Sequence, residues 1–156
     1  MVSIGKKVAK FSLPATGDRT ISLQDFSGSH LVLYFYPKDN TPGCTLEARD
    51  FRDAWRKFRK AGADILGVSR DSLKLHEKFR SKLDLPFDLL SDGEEVLCRQ
   101  FDVIREKSLY GRKFLGIERS TFLIDEKGVL RQEWRKVRVK GHAEEVLQAV
   151  KALTSK

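Results

Sequence analysis

Leu31-Val32-Leu33-Tyr34-Phe35-Tyr36-Pro37-Lys38-Asp39-Asn40-Thr41-Pro42-Gly43-Cys44 passes from a strand into the first turn of a helix. The unbroken apolar run from His30 to Tyr36 is the pattern of a strand covered on both faces, not of a half-exposed one. Pro37 has no N–H for a ladder and ends it. Thr41 suits an N-cap and Pro42 the first helical position, which puts Cys44 at the third and lets the Thr41 hydroxyl bond its backbone N–H. The free N–H groups of a first helical turn amount to about half a positive charge. That field favours a thiolate over a thiol, and the thiolate is the reactive form. Cys44 is therefore read as a working nucleophile. Thr41-Pro42-Gly43-Cys44 also has the frame of a Cys-x-x-Cys redox turn with threonine in the first place. No disulfide can form within such a turn, which leaves one activated sulfur beside a hydroxyl.

The helix opened by Thr41 runs to about Ala61, with Phe51, Ala54, Trp55, Phe58 and Ala61 on its buried face and Gly62 closing it. Ala63 to Ser69 reads as a second core strand, so the unit is a right-handed parallel crossover. Upstream, Phe11-Ser12-Leu13 and Thr20-Ile21-Ser22 flank a turn and predict a β-hairpin, followed by a helical turn over Ser22–Phe26. Downstream, a helix begins at Ser72 with Leu75, Phe79 and Leu83 inward and His76 on a solvated face, until Pro86 stops it. Phe87–Leu90 reads as a short strand, Glu94–Phe101 as a helix and Lys107–Gly116 as a polar loop. Ser120–Asp125 and Val129–Trp134 form a hairpin around Glu126-Lys127-Gly128, and a last helix covers Ala143–Leu153. The whole predicts an α/β fold: a mixed central sheet with helices on both faces and an N-terminal β-hairpin.

A chain of 156 residues predicts one domain, 1–156, able to bury a core without disulfides or metals. No apolar run reaches the ~20 residues that span a bilayer. Lys6, Lys7 and Lys10 precede no apolar signal segment. Two cysteines are too few for a secreted disulfide scaffold. These readings predict a cytoplasmic protein with no membrane partner. The net charge of +8 comes from 30 basic and 22 acidic residues spread along the chain. Arg49, Arg52, Arg56 and Arg59 form a basic stripe, but Asp50 and Asp53 interrupt it, and it is read as a solvated face rather than a nucleic-acid surface. His30, His76 and His142 have no metal-ligand spacing, so neither metal nor cofactor is expected.

Pro37-x-x-x-Thr41-x-x-Cys44 resembles the active-site signature of peroxiredoxins, the thiol peroxidases. Tyr34-Phe35-Tyr36-Pro37-Lys38-Asp39, Glu47-Ala48, Gly67-Val68-Ser69, Phe87-Asp88-Leu89-Leu90-Ser91-Asp92 and Gly116-Ile117-Glu118-Arg119-Ser120-Thr121-Phe122 extend the likeness to the bacterioferritin-comigratory (peroxiredoxin Q) subfamily over almost the whole chain. The resemblance implies a thioredoxin fold and reduction of hydrogen peroxide or small organic hydroperoxides through a Cys44 sulfenic acid. It implies that Arg119 reaches the sulfur, that Thr41 and Arg119 align the peroxide, and that Pro37 and Pro42 shape and dry the pocket. A guanidinium there stabilises the thiolate and the charge developing on the leaving oxygen. Glu47, one turn beyond Cys44, is placed to hold Arg119.

Family members carry a resolving cysteine five residues after the first, or on the next helix. Here those places hold Arg49 and Arg80. Cys98 is the other cysteine; as a buried small side chain it needs no redox role, and pairing with Cys44 requires Cα atoms within ~7 Å. The expectation is a monomer with a one-cysteine cycle recycled by thioredoxin, glutaredoxin or glutathione. A two-cysteine cycle through Cys98, a non-enzymatic redox sensor or holdase, and a basic nucleic-acid module are the alternatives.

Overall fold

A computed structural model describes residues 1–154. The apolar run forms β3 (His30–Phe35), an inner strand of a sheet that also contains β1 (Ser12–Ala15), β2 (Arg19–Ser22), β4 (Ala63–Ser69), β5 (Asp88–Ser91), β8 (Ser120–Ile124) and β9 (Leu130–Trp134). The seven strands lie in the order β2-β1-β5-β4-β3-β8-β9. β3, β4 and β5 are parallel; β8, β9 and the β1–β2 hairpin are antiparallel to their neighbours, so the sheet is mixed.

Because strand side chains alternate, β3 feeds two cores. Val32, Tyr34 and Tyr36 pack with α1 (Pro42–Lys60), α2 (Leu73–Leu83) and α4 (His142–Thr154) on one face. Leu31, Leu33 and Phe35 pack with α3 (Val96–Gln100), Phe101 and Phe122 on the other. Phe51 of α1 stacks on Tyr34 at 4.7 Å between ring centroids; burying a side chain of that size contributes about 2–3 kcal/mol. Gly67 faces Tyr34 across the β3–β4 ladder. A Cβ there would fall 2.9 Å from the tyrosine Cζ and 2.8 Å from Leu89 Cδ2. Only the bare backbone lets the ring lie across the strand.

Several expectations are corrected. Lys107–Gly116 is no loop: β6 (Ile104–Leu109) and β7 (Arg112–Ile117) form a separate two-stranded ribbon. Its two-residue turn, Tyr110-Gly111, has positive φ at both positions, as a hairpin turn of this length requires. The polar composition concealed the strands. α3 is shorter than Glu94–Phe101, since Glu95 is left-handed (φ 61°); the Asp92 carboxylate takes the Leu97 and Cys98 N–H groups instead. On α2, the Ser72 hydroxyl accepts from the Leu75 N–H, but the buried face is His76, Phe79 and Leu83, while Leu75 is exposed. His76 was expected in solvent; it is fully buried because both ring nitrogens find partners.

Candidate active site

The sheet register assembles the site. Phe35, at the end of β3, pairs with Ser120, at the start of β8. The chain leaving β3 and the residue entering β8 therefore meet at one sheet edge. From the first side, Pro37–Thr41 leads into α1; from the second comes Arg119.

Asn40 is left-handed (φ 61°), which folds the loop back on itself. The Thr41 hydroxyl then donates to the Lys38 carbonyl at 2.8 Å. Thr41 is the backbone N-cap of α1, but its side chain does not cap, contrary to the expected bond to the Cys44 N–H. The hydroxyl is turned to the Lys38 carbonyl instead. The hydroxyl oxygen keeps its acceptor capacity. Pro37 is half-buried, and Pro42 is exposed at the first helical position.

Cys44 is buried in the first turn of α1. Arg119 Nη2 donates to its Sγ at 3.4 Å, and Arg119 Nη1 donates to Glu47 Oε1 at 2.6 Å. The guanidinium is thus a bridge with one nitrogen on the carboxylate and the other on the sulfur, a geometry that lysine cannot reproduce. Gly43 makes the approach possible. A Cβ at that position would sit 3.1 Å from Arg119 Nη2. Gly43→Ala is expected to push the guanidinium off the sulfur and slow oxidation of Cys44, while thermal stability changes little because the obstructed group is a side-chain end. Stopped-flow oxidation beside a melting curve checks this; equal oxidation rates in the two proteins would count against it.

Glu47 is almost completely buried, and its Oε2 has no hydrogen-bond partner among the described residues. Burial pushes its carboxyl up to about 7, with the Arg119 guanidinium pulling the other way. The folded state therefore holds a proton that the unfolded chain releases near pH 4.5. This contribution to stability is fully present below pH 4.5 and is lost as the pH rises through about 7. Glu47→Gln keeps an acceptor for Arg119 but does not titrate. The fall in melting temperature between pH 5 and pH 8 is expected to shrink in this variant; an identical fall would show that Glu47 is not the group responsible.

Sequence reasoning did not find the support beneath the loop. Asp39 accepts from the Tyr36 hydroxyl at 2.6 Å and sits 2.6 Å from His76 Nδ1, while His76 Nε2 lies 2.9 Å from the Leu90 carbonyl. The Asp39 N–H donates to Asp71, which also accepts from the Ser69 hydroxyl. Asp39, Asp71 and His76 bring candidate ligand atoms within 4.8 Å of one another, but those atoms already hydrogen-bond within the network. It ties the Pro37–Thr41 loop to α2 and β5. Asp39 follows β3 by four residues, yet nothing local could announce a partner 37 residues away. His142 is buried with Nε2 2.7 Å from the Thr121 hydroxyl; burial, and then Arg119, lower it to about 4, so it stays a neutral imidazole.

Cys98 is fully buried in the core on the opposite face of the sheet from Cys44. Burial pushes its thiol well above the ordinary cysteine range, and the Asp92 carboxylate adds to the effect.

A profile of the AhpC/TSA family matches residues 4–133. Peroxiredoxin Bcp of Bacillus subtilis is 50% identical over 155 residues, covering 99% of both chains. Peroxiredoxin Bcp of Xanthomonas campestris is 56% identical over 146 residues, covering 92% of this chain and 91% of that one. Among solved structures, the bacterioferritin comigratory protein of Xanthomonas campestris superposes with a TM-score of 0.88 at 53% identity, with 92% of each chain covered. A cysteine-to-serine variant of Xylella fastidiosa PrxQ superposes at 0.93 and 44% identity, with 98% of each covered. The fold is the thioredoxin fold of these proteins. With a cysteine on the first turn of α1, an arginine bridging it to a buried glutamate and this likeness along nearly its full length, the chain belongs to the AhpC/TSA family, in its Bcp/peroxiredoxin Q branch.

Proposed function

We infer that this chain is a thiol-dependent peroxidase in which Cys44 is the nucleophile. The Cys44 thiolate attacks one oxygen of a hydroperoxide, an S–O bond forms as the O–O bond breaks, and the distal oxygen leaves with a proton as water or alcohol. Cys44 is oxidised to a sulfenic acid. The observation that carries the reading is the contact of Arg119 Nη2 with Sγ, fixed from behind by Glu47. It sets a cation where the thiolate forms and where charge develops on the leaving oxygen, in a site shielded from water. The Thr41 hydroxyl, already donating to Lys38, is left to accept from the peroxide O–H. Pro37 and Pro42 hold the backbone of the turn. Two free cysteines with no disulfide between them suit a reducing compartment such as the cytoplasm; no helix among the described residues is long and apolar enough to cross a membrane.

A one-cysteine cycle is the form we favour. Cys98 is sealed behind the sheet, its thiol is held protonated by burial, and Arg49 and Arg80 occupy the places where relatives keep a resolving thiol. The reductant is then an external thiol: thioredoxin, glutaredoxin or glutathione. Intact mass after one equivalent of peroxide tests the cycle. Wild type and Cys98→Ser are each expected to gain about one oxygen and to be trapped by a dimedone-type reagent. Loss of two hydrogens in wild type, absent from Cys98→Ser, would establish Cys98 as the resolving residue.

A further inference from the structure

The β6–β7 ribbon pairs with no strand of the main sheet. Its register sets Lys107 opposite Phe114 and Leu109 opposite Arg112, and opposed residues of an antiparallel pair share a face. One face therefore carries Lys107, Leu109, Arg112 and Phe114. At its base is Gly116, where a Cβ would meet Lys107 Cδ at 3.3 Å and Phe114 Cε2 at 3.4 Å. Leu109 is 58% and Phe114 45% exposed, and Tyr110 at the tip is 97% exposed. Apolar side chains left in water on one small element, rimmed by charge, mark an interaction surface.

What the surface would bind follows from three observations. The first is position. β7 runs through Ile117 and Glu118 directly into Arg119, and Lys107 Nζ donates to the Ile117 carbonyl at 2.5 Å. Burial holds the Lys107 amine below the ordinary lysine range, Arg119 adds to this, and the Cys44 sulfur is close enough to act against it. The ribbon face thus borders the mouth of the Cys44 site. The second is charge. Glu106 pairs with Lys113 at 3.6 Å, whereas no carboxylate among the described residues makes an ion pair with Lys107 or Arg112. The face is cationic on a chain of net charge +8. A second copy docking through it would set like charges together, while an acidic protein would meet them with opposite charge. The third is chemistry. An oxidised Cys44 consumes two thiols per cycle, and Cys98 lies on the other side of the sheet. A small thiol needs no landing surface beside a buried sulfur; a protein thiol does.

We propose that this face of the ribbon is the docking surface for the protein that recycles Cys44, an acidic dithiol protein with an apolar rim around its reactive cysteine. Leu109 and Phe114 meet the rim; Lys107 and Arg112 meet its carboxylates. One partner thiolate attacks the Cys44 sulfenic sulfur, forming a mixed disulfide as hydroxide leaves and takes up a proton to become water. The second partner thiolate then attacks its own chain's sulfur, releasing Cys44 as thiolate and leaving the partner's disulfide. The proposal rests on the peroxidase reading above and names the reductant class and the surface that selects it.

The test compares wild type, Leu109→Ser/Phe114→Ser and Arg112→Glu, each oxidised with one equivalent of peroxide. Reduction is followed with a thioredoxin of net negative charge and, separately, with dithiothreitol. Both variants are expected to lose about tenfold in rate with the thioredoxin, and its salt dependence should flatten in Arg112→Glu. Oxidation of Cys44 by peroxide and its reduction by dithiothreitol should match wild type. Equal losses with both reductants, no loss with the thioredoxin, or failure of the thioredoxin to reduce wild type would overturn the proposal. So would a wild-type dimer, seen by sedimentation, that the ribbon substitutions dissociate, since the occupant would then be a second copy. If wild-type Cys44 does not react with peroxide at all, the peroxidase reading falls, and the docking proposal falls with it.

Discussion

Cys44→Ser is expected to abolish peroxide consumption. A serine hydroxyl is scarcely ionised at neutral pH, and the side chain that hydrogen-bonds at this position, Arg119, is a cation and not a base. His142, whose ring feels the Arg119 charge, is held neutral by burial and engaged with Thr121. Arg119 would still be in place beside Glu47 but would have no thiolate to stabilise. The replacement is nearly isosteric in a buried position, so a melting curve close to wild type should accompany the loss. Peroxide consumption under excess dithiothreitol is the measurement. Turnover persisting in Cys44→Ser would remove Cys44 from the mechanism and bring Cys98 forward.

Arg119→Ala is the second large effect. It removes the cation at 3.4 Å from the sulfur and the donor that fixes Glu47. Loss of one well-placed donor to developing charge costs about 10²–10³ in rate, and Cys44 oxidation should slow by that order. Breaking a buried ion pair by removing one partner usually costs 3–5 kcal/mol or about that. Here the cost should be smaller, because Glu47, already raised to about 7, can take a proton rather than remain a bare buried anion. Arg119→Ala should therefore fold and yet be slow, most visibly in the rate of sulfenate formation. A rate equal to wild type would mean that the guanidinium contact with the sulfur contributes nothing to the reaction.

The readable parts of this chain were those whose physics is local. Six apolar residues, a terminating proline, a threonine–proline start and a glycine stop define β3, α1 and β4 with few neighbours to consult. The same local grammar puts Cys44 in the first turn of a helix, where the backbone itself supplies partial charge. The ribbon was missed because Lys107, Arg112 and Lys113 make its strands look like a loop. Its only local clue was the Tyr110-Gly111 turn, whose positive φ values suit a two-residue hairpin. The apolar pattern of α2 points Leu75 inward and His76 outward, whereas the fold buries the imidazole and leaves the leucine exposed.

By itself, the sequence determined that a cysteine opens a helix behind a core strand, where the backbone favours its thiolate; Arg119 entered only through the family resemblance, and Glu47 through its place one turn beyond Cys44. Only the tertiary structure decided the contacts among them. Strand β8 had to pair with β3 in the register Phe35–Ser120 to deliver Arg119 to the sulfur, and Gly43 had to leave the space for its guanidinium. Likewise, the sheet had to pass between the two cysteines, and Asp39 had to find His76 on another helix. These are contacts between residues far apart in the chain. Their energies come from burial and hydrogen bonding that no local stretch of sequence contains.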